Sequence, residues 1–141
     1  MLQRDYFMRM IEEAAAVLAK LMGLQSKGLH DEAERMLEQT FEDFFGLTGD
    51  QIRQVEGADF IQFLEEQDIQ HSQQLSAMAK MLRYDGEVAF EQGKFDRSRD
   101  SLQKALSVLE YLNSQEADLY DFTRIADIQS LEDLLKDIPQ N

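Results

Sequence analysis

The sequence of 141 residues contains no cysteine and only one proline, Pro139. The absence of cysteine excludes disulfides, zinc–thiolate sites, iron–sulfur clusters and thiol nucleophiles. One proline and seven glycines are few for a β-rich fold, because such a fold needs many turn residues. Leucine, alanine, glutamate and glutamine are abundant instead, and all four are good helix formers. We therefore expect an all-α fold.

Long uncharged apolar runs are also missing. No stretch approaches the roughly 18 apolar residues that are needed to span a bilayer. Near the N-terminus, Glu12, Glu13 and Lys20 interrupt the region in which a secretory signal would have its hydrophobic core. The sequence therefore predicts no membrane partner and a cytoplasmic location.

Basic residues are scarce, since 14 lysines and arginines stand against 28 acidic residues, which gives a net charge of −14. Residues 31–68 hold twelve acidic and two basic residues, for a net charge of −10. This field opposes binding to nucleic-acid phosphates and no basic stripe offsets it, so we expect no nucleic-acid partner. The acidic excess either serves solubility or attracts a basic partner.

Sequence motifs for catalysis, metal binding and cofactor binding are missing as well. The two histidines, His30 and His71, belong to no His-Glu-x-x-His pattern, and both lie near predicted helix starts. The many paired carboxylates lack the Glu-x-x-His spacing of a di-iron site, and no glycine-rich phosphate loop or serine elbow is present. We expect no enzyme activity, no metal and no cofactor.

Apolar periodicity and turn residues divide the chain into about six to eight helices. The first, Gln3–Gln25, carries two adjacent apolar stripes, a wider apolar face than a surface helix requires. Either this helix lies between two layers of its own domain, or it forms the interface of a homodimer. We expect one domain over residues 1–141, with further helices at about 31–45, 48–67 (two short pieces), 69–91 and 96–112, and with C-terminal helices at 116–138. Ser130 is expected to cap the last of these, Leu131–Ile138. Thr48 and Gln51 match a capping box, which predicts that the first short piece begins after Thr48.

The segment Tyr84–Leu109 resembles a tetratricopeptide repeat (TPR). It has the family's small residues on both helices, its turn residues and its large apolar position, at Gly86, Gly93, Phe95, Ser98, Leu102 and Ala105. Asp85 and Glu110 depart from the pattern, because the family places an apolar residue and a proline there.

A weaker copy of the repeat lies in Val17–Thr40, where Gly28, Ala33 and Leu37 match. The turn glycines Gly28 and Gly93 are 65 residues apart, rather than the roughly 34 of adjacent repeats. The resemblance therefore implies two TPR-like hairpins, at about 3–45 and 70–112, separated by an insert of short helices at 48–67.

TPR domains typically bind peptides on a concave surface, so the resemblance implies a protein or peptide partner. Carried over by position, the first helix of the second hairpin places Lys80, Arg83 and Glu87 on the inner face. Lys80 and Arg83 lie one turn apart, as pairing with an acidic peptide or a C-terminal carboxylate requires. The equivalent positions of the first hairpin are apolar and are expected to be buried, at Ala15, Leu18 and Met22.

Two functions are compatible with these features. The first is a protein-interaction module or small scaffold that binds a peptide through Lys80, Arg83 and Glu87. The alternative is an acidic, chaperone-like protein whose segment 31–68 masks a basic client.

Overall fold

The computed structural model describes residues 3–115 and 122–140 of the chain. Within these ranges it contains seven α-helices, one short 3-10 helix at Gly57–Asp59 and no strand, which confirms the predicted all-α class. The helices are α1 Gln3–Ser26, α2 His30–Phe45, α3 Gly49–Gln54, α4 Phe60–Glu66, α5 Ser72–Glu91, α6 Phe95–Gln115 and α7 Phe122–Asp137. No described helix is long and apolar enough to cross a membrane.

The chain divides into two compact units, residues 1–55 and residues 56–141. Unit 1 contains α1, α2 and α3, and unit 2 contains the 3-10 helix and α4 to α7. The expectation of one domain over residues 1–141 stays a prediction.

Unit 1 is a hairpin of α1 and α2 followed by the short helix α3. Gly28 reverses the chain between the two long helices at φ +76°, a conformation that glycine adopts without steric cost. The two helices bury apolar residues at Met10, Ala14, Leu21, Ala33, Leu37 and Phe41. Ala15 and Met22 were expected to be buried, but both are exposed. The reason is that α1 packs chiefly against α2, which covers only one of its faces.

The start of α3 has the capping box that the sequence suggests, formed by Thr48 and Gln51. The backbone N–H of Gln51 donates to Thr48 Oγ1 at 3.1 Å, and the backbone N–H of Thr48 donates to Gln51 Oε1 at 2.8 Å. Glu38 of α2 also binds this helix, because Glu38 Oε1 accepts from Arg53 at 2.6 Å and Oε2 accepts from the backbone N–H of Gly49 at 3.0 Å.

Unit 2 is built on the hairpin of α5 and α6, which turns at Gly93 with φ +76°. The helices approach closely at Gly86, whose backbone carbonyl accepts a hydrogen bond from Ser98 Oγ at 2.7 Å. Leu102 packs over the same glycine. Gly86 and Leu102 are the residues that occupy a small and the large apolar position of the TPR resemblance. A complete TPR-like packing stays a prediction.

Helix α7 packs antiparallel to α6, burying Leu131. Arg99 of α6 donates to the carbonyl of Pro139 at 2.8 Å, which fixes the end of the chain beyond α7 against the start of α6. The prediction that Ser130 caps a last helix is wrong, because α7 runs unbroken through this residue. Ser130 Oγ accepts instead from Arg83 Nη2 of α5 at 2.8 Å. The beginning of the predicted 116–138 region lies outside the described residues.

Candidate functional site

The three residues predicted to bind a peptide lie on α5, and the structure joins two of them. Arg83 Nε donates to Glu87 Oε1 at 3.0 Å, while Arg83 Nη2 donates to Ser130 Oγ at 2.8 Å. Lys80 is exposed. The guanidinium of Arg83 is thus used within unit 2, as a bridge between α5 and α7. The peptide-binding role of the three residues stays a prediction.

An open pocket of about 280 Å³ lies beside this bridge. Because α5 and α7 are both antiparallel to α6, they run parallel to each other, and their C-terminal turns form two walls over a floor from α6. The lining residues are Glu87, Phe90 and Glu91 of α5, Leu102 of α6, and Leu134 and Asp137 of α7. Of these, sequence reasoning had selected only Glu87 as a binding residue.

The apolar part of the pocket is formed by Leu102, Leu134 and Phe90. Leu102 is buried, whereas Phe90 is 38% exposed and so presents part of its ring to solvent. Phe95, at the start of α6, holds that ring from the other side, with the two ring centroids 5.6 Å apart. The aromatic wall is therefore positioned before any ligand arrives.

The charged part of the pocket consists of three carboxylates, and they differ in their pairing. Glu87 pairs with Arg83, as described above. Glu91 and Asp137 are exposed and form no hydrogen bond or ion pair within the described part of the chain. The charge of Glu91 also acts on Tyr84. The pKa of this tyrosine is raised first by burial and then by the negative charges of Glu91 and Asp85. The pocket thus carries unneutralised negative charge beside apolar walls.

A buried polar network joins α5 to α6 close to the pocket. Asp85, which is 3% exposed, accepts from Arg97 Nη2 at 2.6 Å and from Ser101 Oγ at 2.6 Å. The TPR pattern, which this segment resembles, has an apolar residue at the position of Asp85. A carboxylate is compatible with the site because two donors from α6 satisfy it. Its role is to hold the hairpin together.

A buried lysine joins α4 to α6. The side chain of Lys104 is 0% exposed, and its Nζ donates to Asp100 Oδ2 at 2.7 Å. The same Nζ lies 5.4 Å from the ring centroid of Phe60, within cation–π range. Phe60 is itself buried, so this lysine holds α4 against α6 and is closed to ligands.

The histidines have structural positions. His71 Nδ1 accepts from the backbone N–H of Gln73 at 3.1 Å, and the side chain of Gln74 accepts from the backbone N–H of His71 at 3.2 Å. His71 therefore caps the start of α5, while His30 is exposed at the start of α2. Over residues 3–115 and 122–140, no three histidine or acidic side chains are grouped to hold a metal ion.

Comparison with family models, with curated proteins and with solved structures found no match to this chain. Its function is therefore inferred from the geometry and chemistry of its own residues.

Proposed function

We propose that this chain is a protein-interaction module, and that the pocket between α5 and α7 receives a segment of a partner protein. The observation that carries this proposal is the exposed ring of Phe90 on the wall of an open pocket. Aromatic side chains in pockets commonly supply the largest share of binding energy at protein interfaces. The pocket of about 280 Å³ lies just below the roughly 300–1,000 Å³ of small-molecule sites, and suits one or two side chains.

A binding role also agrees with the chemistry of the lining. The pocket is lined by three carboxylates, Glu87, Glu91 and Asp137, and by no histidine, serine, threonine or lysine with which a carboxylate could share nucleophilic or acid–base chemistry. Asp85 and Lys104 of the same unit are buried and paired, and neither lines the pocket. We therefore favour recognition over catalysis.

The proposal is tested by panning a displayed library of random peptides against the full chain. We expect the panning to enrich peptides that bind the wild-type chain. These peptides should bind the variant Phe90→Ala about tenfold more weakly, because the variant loses the aromatic wall of the pocket. The matched control is Phe122→Ala, which removes a ring that is 75% exposed at the opposite end of α7. Isothermal titration of the selected peptides measures both effects. No enrichment, or equal weakening by the two variants, would contradict the proposal.

The alternative function, an acidic chaperone-like protein, places its client on segment 31–68 instead. Part of that charge is already used within unit 1, since Glu38 binds Arg53 and the backbone of Gly49. A client held by the remaining charge would dissociate by about 0.5 M salt, because screening then acts within a few ångströms. Its affinity would not change in the variant Phe90→Ala. The panning experiment at two salt concentrations separates these functions.

A homodimer through α1 is proposed on the basis of an apolar stripe that α2 leaves uncovered. Its members follow one another at spacings of three and four residues, the spacing of a coiled-coil seam, and are exposed or half-buried: Met8, Ile11, Ala15, Leu18 and Met22. A second copy of α1 fits this stripe, because like stripes pack on each other in such seams.

Adjacent alanines on α1 allow a matched test of this dimer. Ala15 lies in the middle of the stripe, whereas the neighbouring Ala16, which is also exposed, lies on the polar side of the helix. We expect multi-angle light scattering to find a dimer for the wild type and for Ala16→Glu, and a monomer for Ala15→Glu. A wild type that stays monomeric at high concentration would rule the dimer out.

A further inference from the structure

We propose that the α5–α7 pocket takes the side chain of an arginine from a basic segment of the partner, an inference that rests on the interaction function proposed above. This basic segment is opposite in charge to the acidic peptide that the sequence predicts as the ligand of Lys80 and Arg83. Four features of the pocket support a cationic occupant: its apolar walls, its unpaired carboxylates, the helix ends around it, and the prior use of Arg83.

The shape of the pocket suits a long side chain with a charged end. Leu102 and Leu134 offer apolar surface for the methylene groups of an arginine, which bury readily while the head group stays near water. The ring of Phe90 offers a face or edge beside the guanidinium, and arginine stacks on aromatic rings better than lysine does. The volume of about 280 Å³ leaves space for such a side chain but not for a large cofactor.

The charges of the pocket select against an anion. Glu91 and Asp137 are exposed and form no ion pair among the described residues, so both are open to a guanidinium. An arginine presents five donors in a planar fork and is suited to pairing with carboxylates. An acidic side chain in the same place would meet two like charges.

The helices add to this selection through their orientation. The pocket is lined by the last turns of α5 and α7, and the dipole of a helix places its partial negative charge at this end. The start of α6 has the opposite sign, but Leu102 lies two turns inside that helix, beyond the range in which the terminal charge is felt. Two negative helix ends therefore reinforce the carboxylates.

The nearby arginine of the protein does not fill this role itself. Arg83 donates to Glu87 at one side and to Ser130 at the other, which holds its guanidinium on the bridge between the walls. Glu87 is thereby neutralised, while Glu91 and Asp137 are left for the partner. The pocket thus lacks one cation, and the partner supplies it.

The experiment uses the full chain and two labelled peptides of glycine and serine. One peptide carries several arginines, and the other carries citrulline, which has the same shape without the charge, at the same positions. Fluorescence anisotropy at low salt measures both affinities. For the wild type we expect the arginine peptide to bind at least about tenfold more tightly than the citrulline peptide.

Two double variants locate this preference. Glu91→Gln/Asp137→Asn removes the unpaired charges of the pocket and is expected to reduce the preference to about twofold or less. Glu110→Gln/Asp127→Asn removes the same charge from α6 and α7, two turns away from the pocket, and is expected to keep the wild-type preference. Circular dichroism checks that both variants remain folded. Equal loss of preference in the two variants would mean attraction by net charge, and would overturn the proposal.

The test of the arginine pocket can fail while the proposed interaction function holds, and the two results can be told apart. If panning selects acidic or uncharged peptides whose binding depends on Phe90, the interaction module stands and the arginine pocket is wrong. If the selected peptides depend on Phe90 and are rich in arginine, and lose affinity in Glu91→Gln/Asp137→Asn, both proposals are supported.

Discussion

Replacing Asp85 by leucine is expected to lower the free energy of unfolding by about 3 kcal/mol or more. The substitution leaves Ser101 buried without its acceptor, and it leaves Arg97, whose side chain is only 27% exposed, without its counter-ion. Breaking one partner of a buried pair is costly because the other charge remains desolvated. Urea denaturation followed by circular dichroism measures the loss.

Two further variants test the cause. Asp96→Leu removes a carboxylate from the first turn of α6 that pairs with Arg99 at the surface, and we expect it to cost no more than about 1 kcal/mol, from the helix dipole and the surface pair. The triple variant Asp85→Leu/Arg97→Met/Ser101→Ala replaces these three polar groups by apolar ones. It is expected to recover most of the stability lost in Asp85→Leu. An Asp85→Leu protein as stable as Asp96→Leu would refute a structural role for the network.

Replacing Gly86 by valine is the second change with a large expected effect, a loss of about 2–3 kcal/mol. A Cβ at this position would lie 2.6 Å from Leu102 Cγ and 3.2 Å from the carbonyl oxygen of Ser98. Both distances are shorter than van der Waals contact, so the buried side chain of Leu102 must move or the two helices must separate. The helix propensity that valine gains over glycine, a few tenths of a kcal/mol, is too small to offset this.

Gly23→Val is the matched control, because nothing lies within 4 Å of a Cβ at Gly23, in the last turn of α1. Its unfolding free energy is expected to stay close to that of the wild type. Shortening the opposing side chain gives a second check: Gly86→Val with Leu102→Ala should be less destabilised than the sum of the two single variants. Additive losses, or equal stability of the two valine variants, would exclude a clash between the helices.

The features that the sequence predicted correctly depend on neighbours along the chain. The capping box of Thr48 and Gln51 is a pattern of four residues, and the turn at Gly93 requires a single positive φ. In each case the sequence separation is small, and few arrangements are available.

The features that were missed depend on where a distant helix lies. Ser130 has the side chain of an N-cap, yet α7 runs through it, and its hydroxyl accepts a hydrogen bond from Arg83 across the unit. The pocket likewise combines Glu91 with Asp137, and no periodicity in the sequence shows that the ends of α5 and α7 are neighbours. Met22 is exposed for a related reason, since an apolar stripe predicts a covered face but not what covers it.

The bridge from Arg83 to Ser130 has a consequence for any acidic peptide that binds as the sequence predicts. Such a peptide needs the guanidinium of Arg83, and can take it only by releasing Ser130 and Glu87. The wall formed by α7 then loses a tether, and a third carboxylate becomes free in the pocket. Occupancy of the acidic-peptide site and of the arginine pocket would therefore be thermodynamically linked through one side chain, each ligand altering the affinity of the other by the same factor.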